Sequence, residues 1–335
     1  MVVLRAKEFV YQNLPLRGIA RFLLVNPSND PLSPLHCSLH DLPITHPTYD
    51  FLIPPVQTRK KTRPIVLNGN EAKLQFEIEH YLRYMRHETK EQMFFLRPLC
   101  INPHQPDEAK SYDLQQNDLV TRANHVRGFM GKPPKRWDLE QVAKTLREMH
   151  ALAVNTAARP QDKDAFRKQY ASILRLFSLP EPSKEVKSVF ERCLELLCNS
   201  IWRNRWTTLQ TIGMVKGIDL YIGRTSIPID AFYKLAHFIH DARTLQAWDV
   251  LSQLSTSNNL AAASRIARNR MGTLRQLKQW KTKLSPNQPL PPDLEQKLRD
   301  HFAREENTSA WKTKVMERQP HRLRAKIKQA MKQRD

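Results

Sequence analysis

Apolar residues recur at intervals of three and four through most of the second half of the chain, which is the spacing of one face of an α-helix. Behind Asp138, a capping residue, Leu139, Val142, Leu146 and Met149 share such a face. Phe166, Tyr170, Ile173 or Leu174, and Phe177 mark a second helix, stopped by "SLPEP". Ser183 then caps the clearest one, in which Val186, Val189, Phe190, Cys193, Leu194, Leu197 and Ile201 form a broad stripe suited to packing between neighbours. Further helices are expected at about 206–222, 228–241 and 244–255, with Pro228 in a first turn and Thr244 as a cap. The links between them are short, which predicts antiparallel hairpins closing into a bundle or stacking as a short α-solenoid.

The first half has a different pattern. Residues 26–65 carry a proline every few positions and read as an extended arm ending in the basic cluster Arg59, Lys60, Lys61 and Arg63. "NEAKLQFEIEHYLRYMRHETKEQMFF" places Leu74, Ile78, Leu82 and Met85 at helical spacing, with Tyr81 beside them. An irregular loop follows over about 97–136 and closes in "RGFMGKPPKRW", with Lys135 and Arg136. Beyond about 285 the chain loosens at "SPNQPLPPD", resumes helix near "LEQKLRDHFAREE" and ends in a basic tail with Arg322, Arg324, Lys326 and Lys328. The fold expected is therefore mainly α: antiparallel helical hairpins with an extended Pro-rich N-terminal arm and a basic C-terminal tail. Its divisions are 1–65, a segment with the arm; 66–136, a helix and loop; 137–284, a helical domain; and 285–335, a linker and tail.

Within the helical region "IDAFYKLAHFIHDARTLQAWDVLSQL", residues 229–254, resembles a pentatricopeptide-type helical-repeat unit, with an aromatic opening the first helix and an alanine-containing second helix. That resemblance implies a helical-repeat architecture.

Charge adds what periodicity does not. The 335 residues hold 54 Lys and Arg against 33 Asp and Glu, a net +21, which points to a polyanionic partner because cations that neutralise phosphates release condensed counterions. Hydrophobic residues make up 40%, enough for a core. Eight glycines are about a third of the usual share and disfavour nucleotide-binding α/β sheets built on glycine loops. Four scattered cysteines, Cys37, Cys100, Cys193 and Cys198, read as buried thiols. No apolar run is long enough for a membrane span. The first 25 residues mix Arg5, Lys7, Arg17 and Arg21 with apolar residues, as a mitochondrial transit peptide does, or as an amphipathic segment packed on the body does; cytoplasmic and nuclear locations are the alternatives.

Candidate chemistry is sparse. His36, Cys37, His40 and His46 are zinc-ligand types without paired spacing, and His237, His240 and Asp241 share a helix without a distant third ligand; no metal or other cofactor is assigned. No phosphate loop, nucleophile elbow or dinucleotide turn is present, and no catalytic residue is assigned. Trp202, Arg203, Arg205 and Trp206 bring indoles and guanidinium groups together at a helix junction. The segment 261–284 is free of acids and carries Arg265, Arg268, Arg270, Arg275 and Lys278. The function expected is a non-catalytic RNA-binding structural or assembly subunit of a large ribonucleoprotein, an organellar ribosome or an RNA-processing complex, bound to other protein subunits. The alternative is duplex DNA binding, since "LAAASRIARNRMGTLRQLKQW" resembles a helix-turn-helix whose recognition helix begins after Gly272.

Overall fold

The computed structural model describes residues 18–30, 32–45, 48–55, 61–102, 104–132, 138–152, 160–177, 189–197 and 217–247, together with Tyr11, Leu14 and a few positions between 291 and 300. The chain divides into two compact units, 1–278 and 279–335, and every element below belongs to the first.

The first unit is an α/β fold around a nine-stranded mixed sheet, not a helical bundle or solenoid. The strands are β1 (Ile19–Val25), β2 (His36–Pro43), β3 (Asp50–Ile53), β4 (Thr62–Leu67), β5 (Asn70–Gln75), β6 (Gln92–Phe95), β7 (Val126–Gly131), β8 (Asp219–Ile222) and β9 (Thr225–Pro228). They lie in the order β5-β4-β2-β1-β6-β3-β7-β8-β9. β6, β3, β7 and β8 run parallel, and β1 pairs antiparallel with β2 on one side and β6 on the other. The runs "FLLV", "FLI" and "MFF" are short, apolar and mostly buried, the signature of interior strands rather than of amphipathic helices. The Pro-rich stretch expected to be an extended arm therefore supplies β2 and β3, and the expected loop 97–136 supplies two helices and β7.

The helices are α1 (Phe76–Met85), α2 (Arg97–Cys100), α3 (Pro106–Arg122), α4 (Leu139–Ala151), α5 (Lys163–Gln169), α6 (Ala171–Phe177), α7 (Val189–Leu197) and α8 (Ile229–Thr244). Strand register places α1 and α3 on opposite faces of the sheet. Phe51 pairs with both Phe95 and Val126, so all three share a face, and Tyr112 of α3 stacks on Phe95 at 5.5 Å. Phe129, three residues beyond Val126, projects from the other face, where Tyr81 of α1 stacks on it at 4.9 Å.

The predicted helix over residues 70–95 is shortened from both ends. Leu74 belongs to β5, joined to β4 by the two-residue turn Asn68-Gly69 with φ of 50° and 78°, the left-handed pair that an Asn-Gly hairpin supplies. Residues 92–95 form β6 instead of continuing the helix. The expected helix at 206–222 likewise ends in strand, since 219–222 are β8.

Several helical expectations hold. Asp138 caps α4 by accepting from Gln141 N, and Val142, Leu146 and Met149 are buried. Phe166, Tyr170, Phe190 and Phe238 form one aromatic cluster among α5, α7 and α8. Within it the Tyr170 hydroxyl donates to Asp241 Oδ2 at 2.6 Å, so that buried carboxylate is structural. Thr244 ends α8 and donates back to His240 O, so it does not cap a following helix. α8 packs on α4 and α5 and follows directly from β9, which sets it in an α/β layer and not in a stack of helical repeats.

The N-terminal stretch is partly in the body. Ile19–Val25 has strand neighbours on both sides, and Tyr11 packs its ring 4.8 Å from the Arg21 guanidinium while its hydroxyl donates to Leu99 O at 3.1 Å. Opposite the sheet's other end, Arg86 is buried at 5% exposure and donates to Asp30 O, Ser33 Oγ and Pro34 O at 2.6, 3.0 and 3.1 Å, clamping the loop between β1 and β2. Arg86→Met removes these three charge-assisted bonds from a buried guanidinium to the loop. It is expected to lower unfolding free energy by roughly 2–3 kcal/mol, read from the urea midpoint at unchanged slope.

Candidate nucleic-acid interface

α1 has two stripes. Ile78, Tyr81, Leu82 and Met85 are buried against the sheet, and beside them Phe76, His80 and Tyr84 recur every four residues along one half-buried line. The Phe76 and His80 rings stack at 5.5 Å with planes 11° apart, and His80 meets Tyr84 edge-on at 4.8 Å. Phe129 of β7 backs this ladder, 6.3 Å from His80 and 5.7 Å from Tyr84.

Cations frame the ladder. Phe76 N donates to Lys61 O, which ties the start of α1 to the start of β4 and sets the exposed Lys61 and Arg63 beside it. The Arg63 guanidinium lies 5.5 Å from the Phe76 ring centroid. The Lys132 ammonium lies 5.9 Å from the same centroid. A register shift between Phe129 and Gly131, with Gly131 at φ 113°, a conformation glycine adopts without strain, turns the chain there. Arg83 lies on the next turn, paired with Glu79 at 2.5 Å.

This setting keeps His80 neutral. Burial, and then the charges of Lys132, Arg83 and Arg63, push its pKa down to about 4, and its Nε2 has no partner. The ordinary histidine value in an unfolded chain is about 6.5, so between the two the unfolded chain binds the extra proton. Stability is thus fully present above that ordinary value and declines as pH falls toward the folded one. His80→Phe removes the ionisable group, and the melting temperature of this variant is expected to fall less than that of the wild type across that acid window in a pH series of thermal melts.

Exposed Arg63 and Lys132, both beside the partly buried Phe76 ring, can supply charge for phosphates.

Of the residues singled out in the sequence, Lys61 and Arg63 lie on this face, and the segment 132–136 enters it through Lys132. Arg59, Lys60, Lys135, Arg136, Arg203, Arg205, Arg265, Arg268, Arg270, Arg275, Lys278, Arg322, Arg324, Lys326 and Lys328 lie outside the described residues, as do Ser183, Trp202, Trp206 and Gly272. Phe76, His80 and Tyr84 are the additions. Their signal in the sequence was a second aromatic spacing of four on a helix whose buried side was already complete.

Of the metal-ligand candidates, His46 lies outside the described residues, as does Cys198. Alternation along β2 sends buried Cys37 to the face opposite His36 and His40, and burial pushes its thiol up to about 12. Cys100 and Cys193 are also buried. Among the described residues no three His, Cys, Asp or Glu side chains are grouped to hold a metal ion, and no helix is long and apolar enough to cross a membrane. Arg21, Glu108, Ser111, Tyr112 and Gln115 line a small cavity of about 30 Å³, which has room for water.

No protein-family model, curated protein or solved structure matches the chain.

Proposed function

We propose that the protein is a non-catalytic RNA-binding subunit of a large ribonucleoprotein, an organellar ribosome or RNA-processing particle, and that the α1 face is one of its RNA contacts. One observation carries the reading: two exposed cations some seventy positions apart in sequence, Arg63 and Lys132, meet at a single ring, 5.5 and 5.9 Å from Phe76. Neither of these two exposed cations forms an ion pair with a carboxylate among the described residues, so both are available to phosphates. The overall +21 charge agrees with a polyanionic partner.

The purified chain, titrated with structured RNA and with duplex DNA of matched length over a salt series, tests this. RNA binding whose log affinity falls linearly with log salt is expected. A sequence-selective preference for the DNA duplex would replace this reading with the helix-turn-helix one. The particle class is checked separately by what co-purifies with a tagged copy, where ribosomal or processing subunits are expected.

A further inference from the structure

We infer that the exposed edge of β5 pairs antiparallel with β5 of a second copy of this chain about a two-fold axis, with Glu71 of each copy opposite Lys73 of the other. The surface is a protein–protein one and does not depend on RNA binding.

Backbone direction sets which groups can take part. Leu67 pairs with Asn70 across the Asn68-Gly69 turn, and Phe76 N donates to Lys61 O at the far end of the same hairpin. Bonded residues alternate in an antiparallel pair, so Asn70, Ala72, Leu74 and Phe76 turn their N–H and C=O groups toward β4. Those of Glu71 and Lys73 point away from it, along the edge. Asn70, Glu71 and Lys73 are exposed, so this edge faces solvent. The opposite edge of the sheet is closed. Ile229 N donates to Ile218 O, so the same alternation turns Ser226 and Pro228 outward from β9. There the Ser226 carbonyl accepts from Arg147 Nε and Nη2 at 3.2 and 3.1 Å, and Pro228 has no N–H to offer.

Charge selects the occupant and the register. Glu71 and Lys73 project from one face of β5, and their neighbours across the hairpin, Val66 and Pro64, carry no charge. Two β5 edges bond about a two-fold axis only where outward residues oppose outward residues. Glu71 opposite Glu71, or Lys73 opposite Lys73, sets like charges at the axis. Glu71 opposite Lys73 instead gives an ion pair on each side of it, and brings the small Ala72 against its own copy on the other face. A strand of this length buries less surface than a permanent interface does, so the pairing depends on concentration.

Sedimentation of the nuclease-treated chain over a hundredfold concentration range tests this without bridging by RNA. The wild type is expected to rise from the mass of one chain toward that of two. Glu71→Lys and Lys73→Glu each place like charges across the axis and are expected to weaken association by about tenfold. An equimolar mixture of those variants should associate as the wild type does, because every lysine then faces a glutamate. Lys73→Pro removes an outward N–H and leaves the Ala72 and Leu74 bonds to β4 in place, so it should stay monomeric with a melting curve that shows it folded. A wild type that remains monomeric throughout, a dimer that persists in Lys73→Pro, or single variants that associate as tightly as their mixture would overturn the inference.

Discussion

Replacing Arg63 and Lys132 together by alanine is expected to weaken RNA binding by roughly tenfold per cation, since a charge-assisted hydrogen bond contributes on the order of 1.5 kcal/mol. The salt dependence should flatten as well, the slope of log affinity on log salt dropping by about 0.7 for each single-strand phosphate that the variant no longer neutralises. Both side chains are exposed, and their aromatic contact is a surface cation–π pair worth only about 0.5–1 kcal/mol, so the variant should stay folded. Lys110 and Lys144 serve as controls. They are exposed cations on α3 and α4 paired with Asp107 and Glu148, away from the α1 ladder, and their alanine variants should bind as the wild type does. Fluorescence anisotropy at three or more salt concentrations reads both quantities. An unchanged slope in the double variant would remove Arg63 and Lys132 from the interface.

Glu108→Ala is expected to be among the most destabilising single substitutions, at about 3–5 kcal/mol, because it strands a buried cation. Arg21 is 3% exposed and donates to Glu108 Oε1 at 2.8 Å, with Asp41 at 3.3 Å as its second carboxylate. The same Glu108 oxygen accepts Asn102 N at 2.8 Å, so the carboxylate joins the central strand β1, the loop after α2 and the first turn of α3. Removing it leaves a guanidinium and a backbone N–H buried with less to bond. Replacing both partners by apolar residues, Arg21→Met with Glu108→Leu, should recover much of the loss, since a well-packed apolar pair avoids the desolvation of two ions. Urea unfolding of the single and double variants measures this. A Glu108→Ala midpoint close to the wild type's would show that the network does not hold α3 to the sheet.

What the sequence revealed of the fold depends on which interaction shaped each element. α4 was legible because it buries one side only, and a one-sided helix writes a 3.6-residue period into its sequence, while α7 and α8 showed as broader apolar stripes. β1, β3 and β6 are buried on both sides, so "FLLV", "DFLI" and "QMFF" carry no alternation, and length alone separates them from helix interiors. Prolines added to the misreading. Pro43 ends β2, and Pro64 sits where β4 pairs with β5 but not yet with β2, positions at which a missing N–H costs the sheet little. Scarce glycine argues against phosphate loops but not against sheets in general, and here the turn Asn68-Gly69 and the bend at Gly131 suffice. The Asn-Gly pair between "RPIVL" and "NEAKLQ" was the strongest local sign of a hairpin, masked by the helical spacing from Leu74 to Met85.

The site was half legible. Its charges were visible as the two basic segments, because surface cations need no tertiary context to be noticed. Their meeting was not, because it depends on β4 and β7 both abutting α1, a relation created by the sheet and by the Phe76–Lys61 backbone bond. Phe76, His80 and Tyr84 were hidden for a related reason: a spacing of four on a helix reads as core until the neighbouring stripe of Ile78, Leu82 and Met85 is seen to fill the core alone.

Ultraviolet cross-linking of the full chain to bound RNA, with the attached peptides identified by mass spectrometry, tests the central claim most directly. Cross-links are predicted at Phe76, His80, Tyr84 or Phe129, in peptides that also hold the α1 and β7 segments, and they should disappear in the Arg63→Ala, Lys132→Ala variant. Cross-links confined to 260–284 or to the tail beyond 310, with none on α1 or β7, would contradict it.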